Sequence, residues 1–186
     1  HGYSSVPNYP ASHGCVRVEQ PVELAEFVQV IAGVRYDHFR MTSLNRINNF
    51  SGTRSEGKWS PRLGAQYSFT DDLMAYASYS QGFKSGGFFG RITSGSNVRK
   101  FNPEQVDTYE IGVKSTWWDQ RLRANGAIFS SDYKDKQEEI IVANADGNVD
   151  TAVTNAADAT MDGAELEVSA ILFEGLTAFV QGGYLD

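Results

Sequence analysis

Pro61-Arg62-Leu63-Gly64-Ala65-Gln66-Tyr67-Ser68-Phe69-Thr70-Asp71-Asp72-Leu73-Met74-Ala75-Tyr76-Ala77-Ser78-Tyr79 decides the fold. Leu63, Ala65, Tyr67 and Phe69 alternate with Arg62, Gly64, Gln66 and Ser68. In an extended chain that spacing puts the apolar side chains on one face and the polar ones on the other. Asp71-Asp72 makes a tight turn, and Leu73, Ala75, Ala77 and Tyr79 then resume the same period on the way back.

The pattern continues on both sides. Tyr109, Ile111, Val113 and Trp117 alternate with Thr108, Glu110, Gly112 and Lys114, and Asp119-Gln120 turns the chain into a less cleanly patterned run from Arg121 to Lys136. Ala164, Leu166, Val168 and Ala170 alternate with Gly163, Glu165, Glu167 and Ser169, and Glu174-Gly175 leads into Leu176, Ala178 and Val180. Upstream, Val30 to Asp37 is the first such run, with Ala32, Val34 and Tyr36 on one face and Gly33, Arg35 and Asp37 on the other. Polar stretches at 42–57, 85–103 and 137–158 are expected to be long loops. The expected total is about seven strands of roughly 10–14 residues each. Soluble strands run to about 5–6 residues, and a tilted strand that crosses a bilayer needs about 9–11.

Short turns at one end and long loops at the other are how a transmembrane β-barrel reads. In hydrocarbon every backbone donor and acceptor must find a partner within the protein, so only helices and closed sheets span. The charges of Arg62, Glu110, Lys114, Glu165 and Glu167 all fall on the polar face, which a watery pore tolerates. On the opposite face each would cost up to about 2–4 kcal/mol at the midplane. Trp117-Trp118 lies beside one short turn and Tyr67 with Phe69 beside another, the placement expected of rings at headgroup level. The alternative fold for the same alternation is a soluble antiparallel sheet with one wet face.

Composition narrows the choice of function. The chain has 186 residues and a formal charge of −7, with a pI near 5.0, which argues against a nucleic-acid partner. No apolar run is long enough for a spanning helix. The mean hydropathy of −0.37 does not oppose a barrel, because its inward residues are polar. Cys15 is the one cysteine, so no internal disulfide forms. The sequence opens on His1 and stops within a strand pattern, and is expected to be a fragment at both ends.

Several blocks resemble the barrel of TonB-dependent outer-membrane receptors. They are Ser60-Pro61-Arg62-Leu63-Gly64, Tyr76 to Gly87 (YASYSQGFKSGG), Phe101-Asn102-Pro103-Glu104, Tyr109 to Ser115 (YEIGVKS), Asp132-Tyr133-Lys134-Asp135 and Gly163-Ala164-Glu165-Leu166-Glu167. They stand in the family's order and at its spacing over about 155 residues. The resemblance implies a barrel of about 22 strands around a plug, taking up a ferric siderophore or another scarce nutrient with energy from the TonB system, in the outer membrane of a Gram-negative cell. It implies outer-membrane lipid and a nutrient chelate as partners. About a third of such a barrel is present. The external loops would meet the ligand, with Arg91 and Arg99 as candidates for an anionic chelate.

Residues 1–28 read differently from 29–186. Gly2, Pro7, Pro10 and Gly14 punctuate a loop, and Pro21 is placed to open a short helix whose apolar side holds Val22, Leu24, Ala25, Phe27 and Val28. The fold class is therefore all-β, an antiparallel meander of long strands, with a short N-terminal loop-helix segment. His1-Gly2 and Ser12-His13-Gly14-Cys15-Val16-Arg17-Val18 resemble the active site of L,D-transpeptidases (the YkuD family), which cross-link peptidoglycan through a cysteine acyl-enzyme. By that resemblance Cys15 is the nucleophile and His1 the general base. The backbone of His13, Gly14 and Cys15 forms the oxyanion site, and Arg17 holds substrate or orders the loop. A thiolate beside an imidazole suits that chemistry. Some 30 residues bury too little surface to fold alone, so catalysis is not expected of this chain. A catalytic loop running straight into a barrel strand has no physical rationale, and the join near residues 28–32 reads as an artefact of the sequence.

Other signals carry little. His38 reads as a wall or rim residue, and no metal site or cofactor is expected. Asn144-Ala145-Asp146-Gly147-Asn148 resembles a calcium loop weakly. It has Val149 where an EF-hand needs glycine and Asn155 where it needs the closing glutamate.

Overall fold

The computed structural model describes residues 11–25, 27–45, 50–89, 100–143 and 149–186. Its strands are β1 (Ala11–Ala25), β2 (Val28–Asn45), β3 (Phe50–Thr70), β4 (Leu73–Lys84), β5 (Gly87–Phe88), β6 (Lys100–Phe101), β7 (Glu104–Trp117), β8 (Leu122–Ala143), β9 (Val149–Phe173) and β10 (Leu176–Leu185). Eight of them form one sheet in the order β1-β2-β3-β4-β7-β8-β9-β10, and β5 and β6 pair separately. Every pairing is antiparallel. Chain order is thus spatial order, as in the expected meander.

The register assembles the two faces. Ala32↔Leu63, Leu63↔Tyr79, Tyr79↔Tyr109 and Ala77↔Ile111 join one row after another of apolar side chains. Ile111↔Ile128, Ile128↔Ala164 and Ala164↔Tyr184 carry them to β10. The intervening pairs are polar: Gly33↔Arg62, Ser78↔Glu110, Lys114↔Asn125 and Asn125↔Glu167. A one-residue slip anywhere would exchange the faces, so the hydrophobic pattern itself pins the register.

A water-soluble sheet buries its apolar face under a second layer. Here the described buried apolar residues are Phe88 and Ala152 alone, while Leu63, Ile111, Ile128, Leu166 and Val180 are 53–68% exposed. Apart from β6 against β9, each strand's main contacts are with its ladder neighbours. Aromatic rings bracket the apolar face at two levels. Tyr67 and Phe69 meet at 4.8 Å beside the Asp71-Asp72 turn, and Tyr36 with Trp59 (4.6 Å) and Tyr79 with Tyr109 (5.2 Å) sit further along the strands. The belt near the turns was legible from the sequence; the second was not singled out.

Three expectations are corrected. First, no helix opens at Pro21: residues 11–25 are a strand, with Cys15↔Asp37, Val18↔Val34 and Pro21↔Ile31 in register with β2. Val16, Val18, Val22 and Leu24 stand at even positions, a period of two that the apolar run at 22–28 obscured. Pro21 is tolerated because β1 lies at the sheet's edge, where a missing N–H need not break a ladder. Second, the sheet has eight strands where about seven were expected, the extra one being β1. Third, the stretches 42–57 and 137–158 are mostly ladder. β2 runs to Asn45 and β3 starts at Phe50; β8 runs to Ala143 and β9 starts at Val149. Beyond the apolar band neither face has to be apolar throughout, so the strict alternation vanishes while the backbone pairing goes on. Strands β3, β8 and β9 consequently reach 21, 22 and 25 residues.

Among the described residues no helix is long and apolar enough to cross a membrane, which says nothing of a strand-built span. The short connections that join β1 to β2, β3 to β4, β7 to β8 and β9 to β10 all lie at one end of the sheet. Trp118, Asp119 and Gln120 take successive left-handed φ values of 57°, 53° and 65°, and Arg121 N donates to Trp118 O at 3.1 Å to close the turn.

Candidate functional site: the polar face and the far end of the strands

The polar face is a wall of paired side chains. Gln66 Nε2 donates to Gln29 Oε1 at 2.6 Å. Next to it the ring of Tyr76 lies across Gly112 of the neighbouring strand, and a Cβ on that glycine would stand 2.5 Å from the ring. Lys114 Nζ sits 5.4 Å from the centre of the same ring, a cation–π contact. Phe129 covers Gly163 in the same manner. A concave surface lined by Tyr76, Lys114, Asn125, Glu165, Glu167 and Gln181 runs along this face.

Further from the short turns, on the face that carries Tyr79 and Tyr109, the carboxylate of Asp107 is buried. It accepts from Gln81 Nε2 at 2.7 Å, Tyr79 Oη at 2.9 Å, Gln105 Nε2 at 3.2 Å and Lys134 Nζ at 3.3 Å. Lys58 Nζ extends the network by donating to Gln105 Oε1 at 2.8 Å. A desolvated carboxylate needs such donors to stay ionised. The register of β3 with β4 ends at Arg62↔Ser80, and above it the β2–β3 hairpin is paired only within itself.

At the far end the motif Phe101-Asn102-Pro103-Glu104 becomes a junction. Asn155 Oδ1 accepts from Asn102 N at 2.7 Å, and Asn155 Nδ2 donates to Asn102 O at 3.0 Å. The side-chain amide thus pairs with a backbone amide as a strand would. The same Nδ2 donates to Asp135 O at 2.7 Å. Gln137 Nε2 donates to Ser85 O and to Asn102 O, both at 3.0 Å, and Gln137 N donates to Glu104 Oε2 at 2.9 Å. Arg54 Nη1 donates to Phe101 O at 2.5 Å, and its Nε pairs with Glu56. Gly86 permits the approach: a Cβ there would lie 2.5 Å from Phe101 O and 2.8 Å from Asn102 C. Phe50 and Phe88 pack edge to face at 5.7 Å close by. Lys136 Nζ, 2.6 Å from Glu138 Oε1, holds that carboxyl below its ordinary range, by hydrogen bond first and by charge second.

The residues singled out from the sequence fall in different places. His13, Gly14, Cys15 and Arg17 are in strand β1, where a register shift lies between Ser12 and Cys15. His1, Arg91, Arg99 and the stretch 144–148 lie outside the described residues. His38 lies 3.2 Å from Ser55 Oγ. Among the described residues no three His, Cys, Asp or Glu side chains are grouped to hold a metal ion. Arg62, Glu110, Lys114, Glu165 and Glu167 share the polar face as expected. Sequence reasoning missed Asp107, Gln137 and Asn155. The Phe101–Glu104 block was visible as a motif, but its partners are single amides in ordinary strands.

The model of the family described as TonB dependent receptor-like, beta-barrel matches residues 22–185. The metal-pseudopaline receptor CntO of Pseudomonas aeruginosa is 29% identical over 177 residues, covering 92% of this chain and 23% of that receptor. The ferripyoverdine receptor of the same species is 30% identical over 160 residues, covering 84% of this chain and 18% of the receptor. The crystal structure of the ferric yersiniabactin uptake receptor FyuA from Yersinia pestis superposes with a TM-score of 0.75 at 22% identity, over 92% of this chain and 26% of that one. At that identity the likeness is one of fold. A match over 92% of the chain reaches into residues 1–28. The chain spans about a fifth to a quarter of the length of these relatives.

Proposed function

The chain belongs to the TonB-dependent receptor β-barrel family of the Gram-negative outer membrane, and we propose that it forms part of the wall of a receptor for active uptake of a metal chelate of the ferric-siderophore class. The apolar face with its two aromatic belts meets outer-membrane lipid. The polar face lines the lumen, the short turns are periplasmic and the junction at Asn102 stands at the extracellular mouth. The observation that carries the reading is the register itself. Across the apolar band it sorts Arg62, Glu110, Lys114, Glu165 and Glu167 onto one face and leaves the other apolar and exposed, which is stable in hydrocarbon and unstable in water. The ligand class is supported by relatives named for metal-pseudopaline and ferripyoverdine, and energy from TonB by the family.

The test is made on the full-length receptor in its own cell. Deleting the gene abolishes accumulation of one ferric chelate from a panel supplied under iron limitation, and a plasmid copy restores it. Unchanged uptake of every chelate in the panel would overturn the proposed substrate class.

The motif at Ser12–Val18 is supported as an L,D-transpeptidase mark by its sequence alone. Its backbone is an extended strand hydrogen-bonded to β2, so we assign Cys15 no catalytic part and treat residues 11–186 as one piece of wall. A carbapenem adduct on Cys15 that disappears in Cys15→Ala would reverse that assignment.

A further inference from the structure

Four segments distant in sequence converge on Phe101-Asn102: β3 at Arg54, the end of β4 at Ser85, β8 at Gln137 and β9 at Asn155. No ladder joins 102–103 to β8 or β9. What ties them is two side-chain amides, each bonded to more than one backbone group.

Asp135 shows how closely the tie is drawn. It is a non-glycine residue at φ 54° in the irregular stretch between Tyr133 and Lys136, a conformation that persists where its surroundings hold it. Its carbonyl is taken by Asn155 Nδ2 and its N–H by Asp158 Oδ1 at 3.2 Å. Gly86 adds an independent sign, because the backbones of 86 and 101–103 approach to distances that any Cβ would prevent.

We propose that Asn155 and Gln137 are positioning residues that latch the β8–β9 hairpin to the 101–104 segment and the end of β4, fixing the arrangement of the mouth through which the ligand is captured. The latch stands beyond the apolar band: Gln137 and Asn155 face each other in the β8–β9 ladder, and the bonds their side-chain amides make to Ser85, Asn102 and Asp135 are additional to that ladder. That it serves ligand capture rests on the reading above; that it fixes the hairpins rests on its own geometry.

The experiment uses the full-length receptor in a cysteine-free background, spin-labelled at Leu44→Cys on β2 and Val149→Cys on β9, both well exposed. Pulsed electron resonance reads the distance between the two hairpins. Asn155→Ala removes all three bonds of the amide. Asn155→Asp keeps its size but turns a carboxylate oxygen toward the carbonyls of Asn102 and Asp135. Both variants are expected to broaden the distance distribution while the heat-modifiable folded band stays at the parent level. In unlabelled cells the concentration of radioiron-loaded siderophore from the organism's own culture that half-saturates uptake rises about two- to tenfold, with the maximal rate unchanged.

Distributions as narrow as the parent's in both variants would overturn the latch. So would loss of the folded band, which would make the amides part of barrel assembly. If the distributions broaden but the parent takes up no culture siderophore, the latch stands and the proposed ligand falls.

Discussion

Placing the same new side chain on adjacent rows of opposite faces separates a membrane wall from a soluble sheet. Val113 lies between Tyr109 and Trp117, near the middle of the apolar band, and pairs with Ala75 and Gly126. Ala127, one step further along β8, faces Gly112 and Glu165 on the polar side. In Val113→Arg the guanidinium is driven to the bilayer midplane at a cost of about 2–4 kcal/mol, equivalent to roughly 30-fold to nearly 1,000-fold in the folding equilibrium. In Ala127→Arg it meets Glu165 directly across the strands, a pairing that contributes about 0.2–1 kcal/mol. The assay is the fraction of full-length receptor in outer membranes that runs as the folded, heat-modifiable species, followed with increasing urea. Val113→Arg should lower the midpoint sharply and Ala127→Arg should leave it within error. Equal loss in both, or a larger loss for Ala127→Arg, would refute the assignment of faces.

Gly112→Ala should cost about 1–3 kcal/mol, because its Cβ displaces the Tyr76 ring and with it the contact to Lys114. Adding Tyr76→Ala should recover part of that loss, read as the coupling in a double-mutant cycle. The two aromatic belts should sit at opposite interfaces. Phe69 to Trp59 is ten steps of roughly 3.3 Å, which at a strand tilt of about 40° gives about 25 Å along the membrane normal. Fluorescence quenching by lipids brominated at known depths should place Trp59 and Trp118 in the two headgroup regions when each is the sole tryptophan. Lys134→Met should weaken the network around Asp107 without touching the faces, lowering the urea midpoint slightly. A loss as large as that of Val113→Arg would contradict this.

Where one face must be apolar, the sequence carried the fold plainly. Leu63, Ala65 and Tyr67 against Arg62, Gly64 and Gln66 predicted both the strand and its orientation, and the register bears this out. Legibility failed at the ends of the strands. Beyond Trp59 and Tyr109 neither face needs to be apolar, so the ladders through 50–57 and 137–143 left no period to find. Strand β1 was hidden for another reason: Pro21 and the run from Val22 to Val28 imitate a helix start, and edge pairing with β2 overrode that local preference. Asn155 and Gln137 were beyond reach because each acts through backbone groups of other segments that only tertiary approach brings near. Gly86 and the Phe101–Glu104 block marked half of that contact without saying what closes it.

The most direct test of the account is a spin-label scan of positions 108 to 117 on β7 in the full-length receptor in lipid bilayers, measuring relaxation by oxygen, which concentrates in hydrocarbon, and by a water-soluble nickel chelate. The account predicts that collisions with oxygen peak at 109, 111 and 113 and those with nickel at 108, 110, 112 and 114, out of phase with a period of two. Uniform nickel accessibility at both sets of positions, or oxygen maxima at the even ones, would contradict it.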